Sequence, residues 1–232
     1  MIQVQDLSKK YSEEIVLNIP TLNIAKGESF GLVGNNGAGK TTFFRLILDL
    51  IRGDSGSILS NNQLVASSEH WKSYTGSYLD EGFLIDYLSP EEYFQFVGSI
   101  NGLSKGDIDD YMQRFDAFFN GEILGKKKYI RDFSKGNQKK IGIFAAIMSN
   151  PQVLVLDEPF SNLDPSTQIR LKKLLRKLQE EQQMTMLISS HDLNHVTEVC
   201  DRIVVLDHGN IVHDIQTSES TLQDLEQYFA VE

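Results

Sequence analysis

The stretch Gly34-Asn35-Asn36-Gly37-Ala38-Gly39-Lys40-Thr41 constrains this chain more than any other. It follows the apolar run Ser29-Phe30-Gly31-Leu32-Val33 and precedes Thr41 to Ile51, whose apolar spacing is helical and stops at Arg52-Gly53. The unit reads as strand, glycine loop, helix. It fits the phosphate-binding loop pattern in full, in which backbone N–H groups converge on phosphate oxygens. Side chains at the wrong positions would block that approach, and glycine removes the obstacle. The helix behind the loop points its N-terminus at the same anion. Lys40 supplies a point charge for the β- and γ-phosphates, and the Thr41 hydroxyl is placed to ligate Mg2+. The candidate phosphate-binding set is therefore Gly34, Asn35, Asn36, Gly37, Ala38, Gly39, Lys40, Thr41 and the adjoining Thr42.

A second half of such a site stands at Val153-Leu154-Val155-Leu156-Asp157-Glu158. A carboxylate at the C-terminal end of a parallel strand beside a phosphate loop is where Mg2+ is held, which suits Asp157. Glu158, directly after it, can orient and deprotonate a water. The remaining pattern fits around this frame. The opening is β-like, with Ile2, Val4 and Leu7, then Ile15 to Ile19, then Leu22 and Ile24 before a turn at Lys26-Gly27. Ser89-Pro90-Glu91-Glu92 is a helix start, with a Ser cap, Pro at the first helical position and Glu three residues after the cap. Ile108, Tyr111, Met112, Phe115, Phe118 and Phe119 then predict one amphipathic helix, closed by Asn120-Gly121 and packed as core. Further on, Asp164-Pro165 caps a helix, Met184 to Ser189 is a strand ending near His191, and Ile203–Leu206 with Ile211–Ile215 suggests a hairpin.

Together with those motifs, Phe133-Ser134-Lys135-Gly136-Asn137, Ser161-Asn162-Leu163-Asp164, His191 and Tyr11 make the chain resemble the ATP-binding-cassette ATPases over nearly its whole length. The resemblance implies an α/β fold: a mainly parallel core sheet, an N-terminal antiparallel β part and a helical subdomain insertion. It divides one domain, 1–232, into a catalytic core of 1–79 and 151–232 and a helical part of about 80–150. By the same resemblance, Tyr11 stacks on adenine, and Glu158 and His191 handle the attacking water. Two copies pack head to tail around ATP, one bringing Lys40, Thr41 and Asp157, the other Ser134, Lys135 and Gly136. Ser134 also suits a helix N-cap, with a helix dipole favouring the anion.

Two segments depart from the family pattern. Lys135 and Asn137 stand where glycine and glutamine are usual, and a Ser-Lys-Gly core resembles the variant of some bacterial exporters. Glu81, in Tyr78-Leu79-Asp80-Glu81, aligns with the family's glutamine; a carboxylate there can bind Mg2+ directly or through water. The expected partner is an integral membrane permease, met by the stretch Asp80 to Phe96, with a second cassette as homodimer or heterodimer partner. The expected cofactors are ATP and Mg2+. The competing readings are a soluble cassette ATPase acting on ribosomes or DNA, and a P-loop kinase acting on a small molecule.

Composition agrees with an acidic cytoplasmic protein that reaches the membrane only through such a permease. The net charge of −10 argues against wrapping nucleic acid or binding anionic lipid by charge alone. Cys200 is the single cysteine and cannot form an internal disulfide. The longest apolar run, Ile141 to Met148, falls far short of the ~20 residues that span a bilayer.

Overall fold

The fold is given by a computed structural model that describes residues 1–230. The chain opens with β1 (Ile2–Tyr11), β2 (Glu14–Ile24), β3 (Ser29–Val33), α1 (Lys40–Ile47), β4 (Ser55–Ser60), β5 (Gln63–Leu64) and β6 (Thr75–Tyr78). Four helices follow: α2 (Pro90–Ile100), α3 (Lys105–Arg114), α4 (Asp116–Phe119) and α5 (Lys135–Ile147). It closes with β7 (Val153–Leu156), α6 (Pro165–Gln182), β8 (Thr185–Ser190), α7 (Leu193–Val199), β9 (Arg202–Asp207), β10 (Asn210–Gln216) and α8 (Thr221–Ala230).

The strands form two sheets. A 4-stranded antiparallel sheet has the order β2-β1-β4-β5, and a 6-stranded sheet the order β10-β9-β3-β8-β7-β6. In the larger sheet β9, β3, β8, β7 and β6 run parallel, and β10 pairs antiparallel with β9 at the edge. This is the expected α/β class, with an antiparallel N-terminal part and a mainly parallel core sheet.

The parallel strands are apolar on both faces because both faces are covered. Side chains alternate between two cores along each strand. Phe30, Leu32, Val153, Val155, Leu187 and Val204 face the antiparallel sheet and the Phe43, Phe44 and Ile47 side of α1. Val33, Leu154, Leu156, Met186, Ile188 and Ile203 face the layer that contains α5, α6 and α7. The C-terminal ends of β3, β8 and β7, hydrogen-bonded side by side, present Gly34, His191 and Asp157 at one edge.

The helices between β6 and β7 gather around an aromatic knot. The Phe144 ring of α5 lies 4.5 Å from Phe94, 4.8 Å from Phe119 and 5.4 Å from Phe115. The Ser89 and Ser104 side chains each close a capping box at the starts of α2 and α3.

Three element boundaries differ from the sequence reading. The helix expected over Thr41 to Ile51 ends at Ile47, because Asp49 adopts φ 52 and the chain closes with a Leu50 N–H bond to the Arg45 carbonyl. The single helix expected through Phe119 breaks at Phe115, whose ψ of 9 leaves the helical range; its ring then stacks on Tyr111 at 4.8 Å. The strand expected over Met184 to Ser189 runs from Thr185 to Ser190, which brings a second hydroxyl to its C-terminal end.

Candidate functional site

The glycine loop runs from the C-terminal end of β3 to the start of α1 and is shaped by close backbone approaches. A Cβ on Gly34 would collide with the Leu206 carbonyl, and one on Gly39, which adopts φ 107, would lie 2.8 Å from the Val16 carbonyl. Lys40 folds back into this loop. Its ammonium donates to the Gly34 carbonyl at 2.6 Å and the Asn35 carbonyl at 3.3 Å, and lies 3.7 Å from Glu158 Oε1. Burial lowers its pKa, against the opposing pull of the Glu158 and Asp157 carboxylates.

Asp157 extends from the end of β7 and is 5% exposed. Its Oδ2 accepts the Thr41 hydroxyl at 2.5 Å, and its Oδ1 accepts the Ser189 hydroxyl. Ser189 in turn accepts the Glu158 N–H at 2.9 Å, so one hydroxyl from β8 ties the two consecutive acids together. Burial raises the Asp157 pKa against the opposing pull of these two donors. Asp157 Oδ2 and the Thr41 hydroxyl stand together as oxygen donors of the kind that could hold a divalent cation.

Glu158 stands in the left-handed region, with φ 48. Its carboxylate bridges two elements: Oε1 faces Lys40, and Oε2 lies 2.9 Å from Nδ1 of His191. Its carbonyl accepts Lys139 Nζ at 2.6 Å and the Ser161 hydroxyl at 2.9 Å. Nearby, the Tyr78 hydroxyl donates to Glu81 Oε1 at 3.1 Å, and the Asp157 N–H bonds the Tyr78 carbonyl at 2.9 Å. Glu81 therefore borders the acidic centre through Tyr78.

Lys40, Thr41, Asp157, Glu158 and His191 thus meet in one place. Ser134, Lys135 and Gly136 open a different element: Ser134 caps α5 by accepting the Asn137 N–H at 3.3 Å, and its helix has no acidic residue in its first turn. Ser134 and Lys135 are exposed. Tyr11, at the end of β1, is 48% exposed, with the Lys9 ammonium 5.4 Å from its ring centroid. The Asn35, Asn36, Gly37 and Ala38 segment lines an open concavity with Asp207 and His208.

The sequence reading did not single out Ser189 or Lys139. For Ser189 the signal was a Ser-Ser-His triplet at a strand end, and for Lys139 a lysine pair at the head of an apolar helix. The cluster fits Mg2+ only if other ligands join it: among the described residues no group of three or more His, Cys, Asp or Glu side chains could hold a metal. Such a cation keeps waters and takes phosphate oxygens beside one or two carboxylates. No described helix is long and apolar enough to cross a membrane.

Residues 17–161 match the protein family described as ABC transporter. The chain is 32% identical over 225 residues to the bacitracin transport ATP-binding protein BcrA of Enterococcus faecalis, which is 94% of this chain and 70% of that protein. It is 31% identical over 229 residues to the lantibiotic transport ATP-binding protein SrtF of Streptococcus pyogenes, covering 99% of this chain and 96% of that one. A solved structure described as the ATP binding subunit of an ABC transporter superposes with a TM-score of 0.84 at 27% identity, covering 100% of this chain and 94% of that chain.

Proposed function

The chain belongs to the ABC transporter ATPase family, and from that premise we propose that it is the ATP-hydrolysing subunit of an exporter whose membrane permease is a separate protein. The observation that carries this reading is the meeting of Lys40, Thr41, Asp157, Glu158 and His191 at the C-terminal ends of three adjacent parallel strands. That edge is where ligands of open α/β sheets bind.

In this reading the backbone from Gly34 to Gly39 cradles the phosphates, with Thr42 N–H at the head of α1, and Lys40 turns from its carbonyl partners to the β- and γ-oxygens. Thr41 and Asp157 would hold Mg2+, with Glu81 joining directly or through water. The chemistry such an ion supplies is neutralisation of charge on the β- and γ-oxygens. Glu158 draws the proton from the attacking water, and His191, on its other carboxylate oxygen, fixes its direction. Tyr11 stacks on the adenine. A second copy of the chain brings Ser134, Lys135 and Gly136, whose exposed helix start lacks any acid to neutralise its dipole, to the γ-phosphate.

The permease fits a groove lined by Leu50, Trp71, Phe83, Leu84, Tyr93 and Val97. Phe83, at 54% exposure, and Tyr87, at 63%, stand open beside it, whereas Leu84 is buried and belongs to the core. The protein then works on the cytoplasmic face of the membrane. Export is favoured by the Ser-Lys-Gly segment, and the relatives' names, bacitracin and lantibiotic transport, point to transport as the process served.

The experiment is phosphate release by the purified chain with ATP and Mg2+. The parent should hydrolyse ATP, and Glu158→Gln should bind ATP with parental affinity while turning over ~10²-fold more slowly or worse, the usual cost of losing a general base. Parental turnover in that variant would remove Glu158 from the role.

A further inference from the structure

Lys139 is 4% exposed, and the water-handling reading of Glu158 leaves its ammonium unused. It sits on the second turn of α5, the helix that starts at Ser134, and reaches across to the loop after β7. There it donates to the Glu158 carbonyl and to Ser161 Oγ, both at 2.6 Å. The Ser161 hydroxyl and N–H bond that same carbonyl at 2.9 Å and 3.3 Å. The Tyr78 ring, whose hydroxyl holds Glu81, lies 5.9 Å from the ammonium.

These donors converge on a residue in an unfavourable conformation. Glu158 has φ 48, a region that side chains other than glycine enter at a cost and leave unless their surroundings hold them. Turning the Glu158 peptide back would swing its carboxylate away from Lys40 and His191. A buried ammonium bonded to the carbonyl opposes that turn, since releasing the carbonyl would strand the cation. Burial lowers the Lys139 pKa, and the carboxylates of Glu81, Glu158 and Asp157 counter that fall.

We propose that Lys139 is a positioning residue for ATP hydrolysis: its ammonium clamps the Glu158 carbonyl and thereby fixes where the Glu158 carboxylate stands. The proposal rests on the reading of Glu158 as the group that activates water. It also ties the head of α5, which carries Ser134, to the chain's own water-activating side chain.

The test separates rate from binding. Lys139→Met keeps the length and apolar stem but removes every donor; kcat should fall about tenfold or more, because a small displacement of a reacting group is costly. ATP affinity by calorimetry should stay within about twofold, and Lys139→Arg, which restores donors, should recover most of the rate. A Met variant with parental kcat, or one whose affinity falls in step with kcat, overturns the proposal. Ser161→Ala supplies a second reading should the Met variant not fold: it removes two of the same bonds at a half-buried loop position. Its kcat should fall about threefold or more at unchanged affinity, and a parental rate would overturn the clamp. Glu158→Gln, measured in parallel, keeps the two ideas apart. If that variant turns over at the parental rate the role of Glu158 fails, whatever Lys139→Met does.

Discussion

At the scale of single residues, the acidic pair at the end of β7 shows how the site is balanced against stability. Asp157 is buried, and burial raises its pKa. A carboxyl whose folded pKa lies above its unfolded value binds more protons in the folded state, so stability falls as pH rises between the two values. Above the raised value the loss is complete. Asp157→Asn removes that penalty; its one amide oxygen still accepts from one of the two hydroxyls, and its NH2 donates to the other, which can turn to accept. In scanning calorimetry with chelator and no nucleotide, the variant should melt about 2–4 °C above the parent at neutral pH, corresponding to about 1 kcal/mol in a domain of this size. The gain should vanish as pH drops below the ordinary carboxylate range. A variant that melts lower at neutral pH would mean that the Thr41 and Ser189 bonds to the ionised group outweigh its burial. The sequence made this pair legible because an acid directly after an apolar strand is a local pattern. Ser189 was not legible in the same way: its bond to the Glu158 N–H joins residues 31 apart, and only the pairing of β7 with β8 brings them together.

At the scale of elements, the parallel strands could be read directly, since covering both faces leaves an unbroken apolar run that needs no partner to recognise. Helix ends were harder. α1 stops at Ile47 through a left-handed Asp49, a conformation that glycine or asparagine signals more clearly than aspartate does. The break at Phe115 is likewise invisible to periodicity, because the apolar spacing continues across it while the rings rearrange around Phe144. The segment between β6 and α2 mixes both kinds of residue. Leu84 is core, whereas Asp86 and Tyr87 are exposed. Replacing Asp86 by Lys together with Tyr87 by Ala should therefore leave the fold and basal ATPase rate near parental, within the ±0.5 kcal/mol typical of surface changes. Co-purification with the permease should fall sharply. Loss of basal activity in that variant would mean the segment supports the site rather than a partner.

At the scale of the whole molecule, the proposed dimer draws on two surfaces of the chain. One holds the glycine loop with Lys40, Thr41 and Asp157; the other is the uncompensated start of α5 with Ser134 exposed. In the proposed head-to-tail pair, the nucleotide held at the first surface of one copy would meet the second surface of the other. Most of this organisation was legible because the motifs occur in a fixed order along the chain. What the order left open was which helical residues reach the loop after β7, because Lys139 and Glu158 meet only when α5 packs beside β7.

Sedimentation velocity on the Glu158→Gln variant tests the central claim, that ATP is the joint between two copies. With saturating ATP and Mg2+ the variant should sediment as a dimer, and without nucleotide as a monomer. Adding Ser134→Arg should return it to a monomer while calorimetry still detects ATP binding. A variant that stays monomeric at saturating ATP, or a dimer indifferent to Ser134→Arg, would contradict the account.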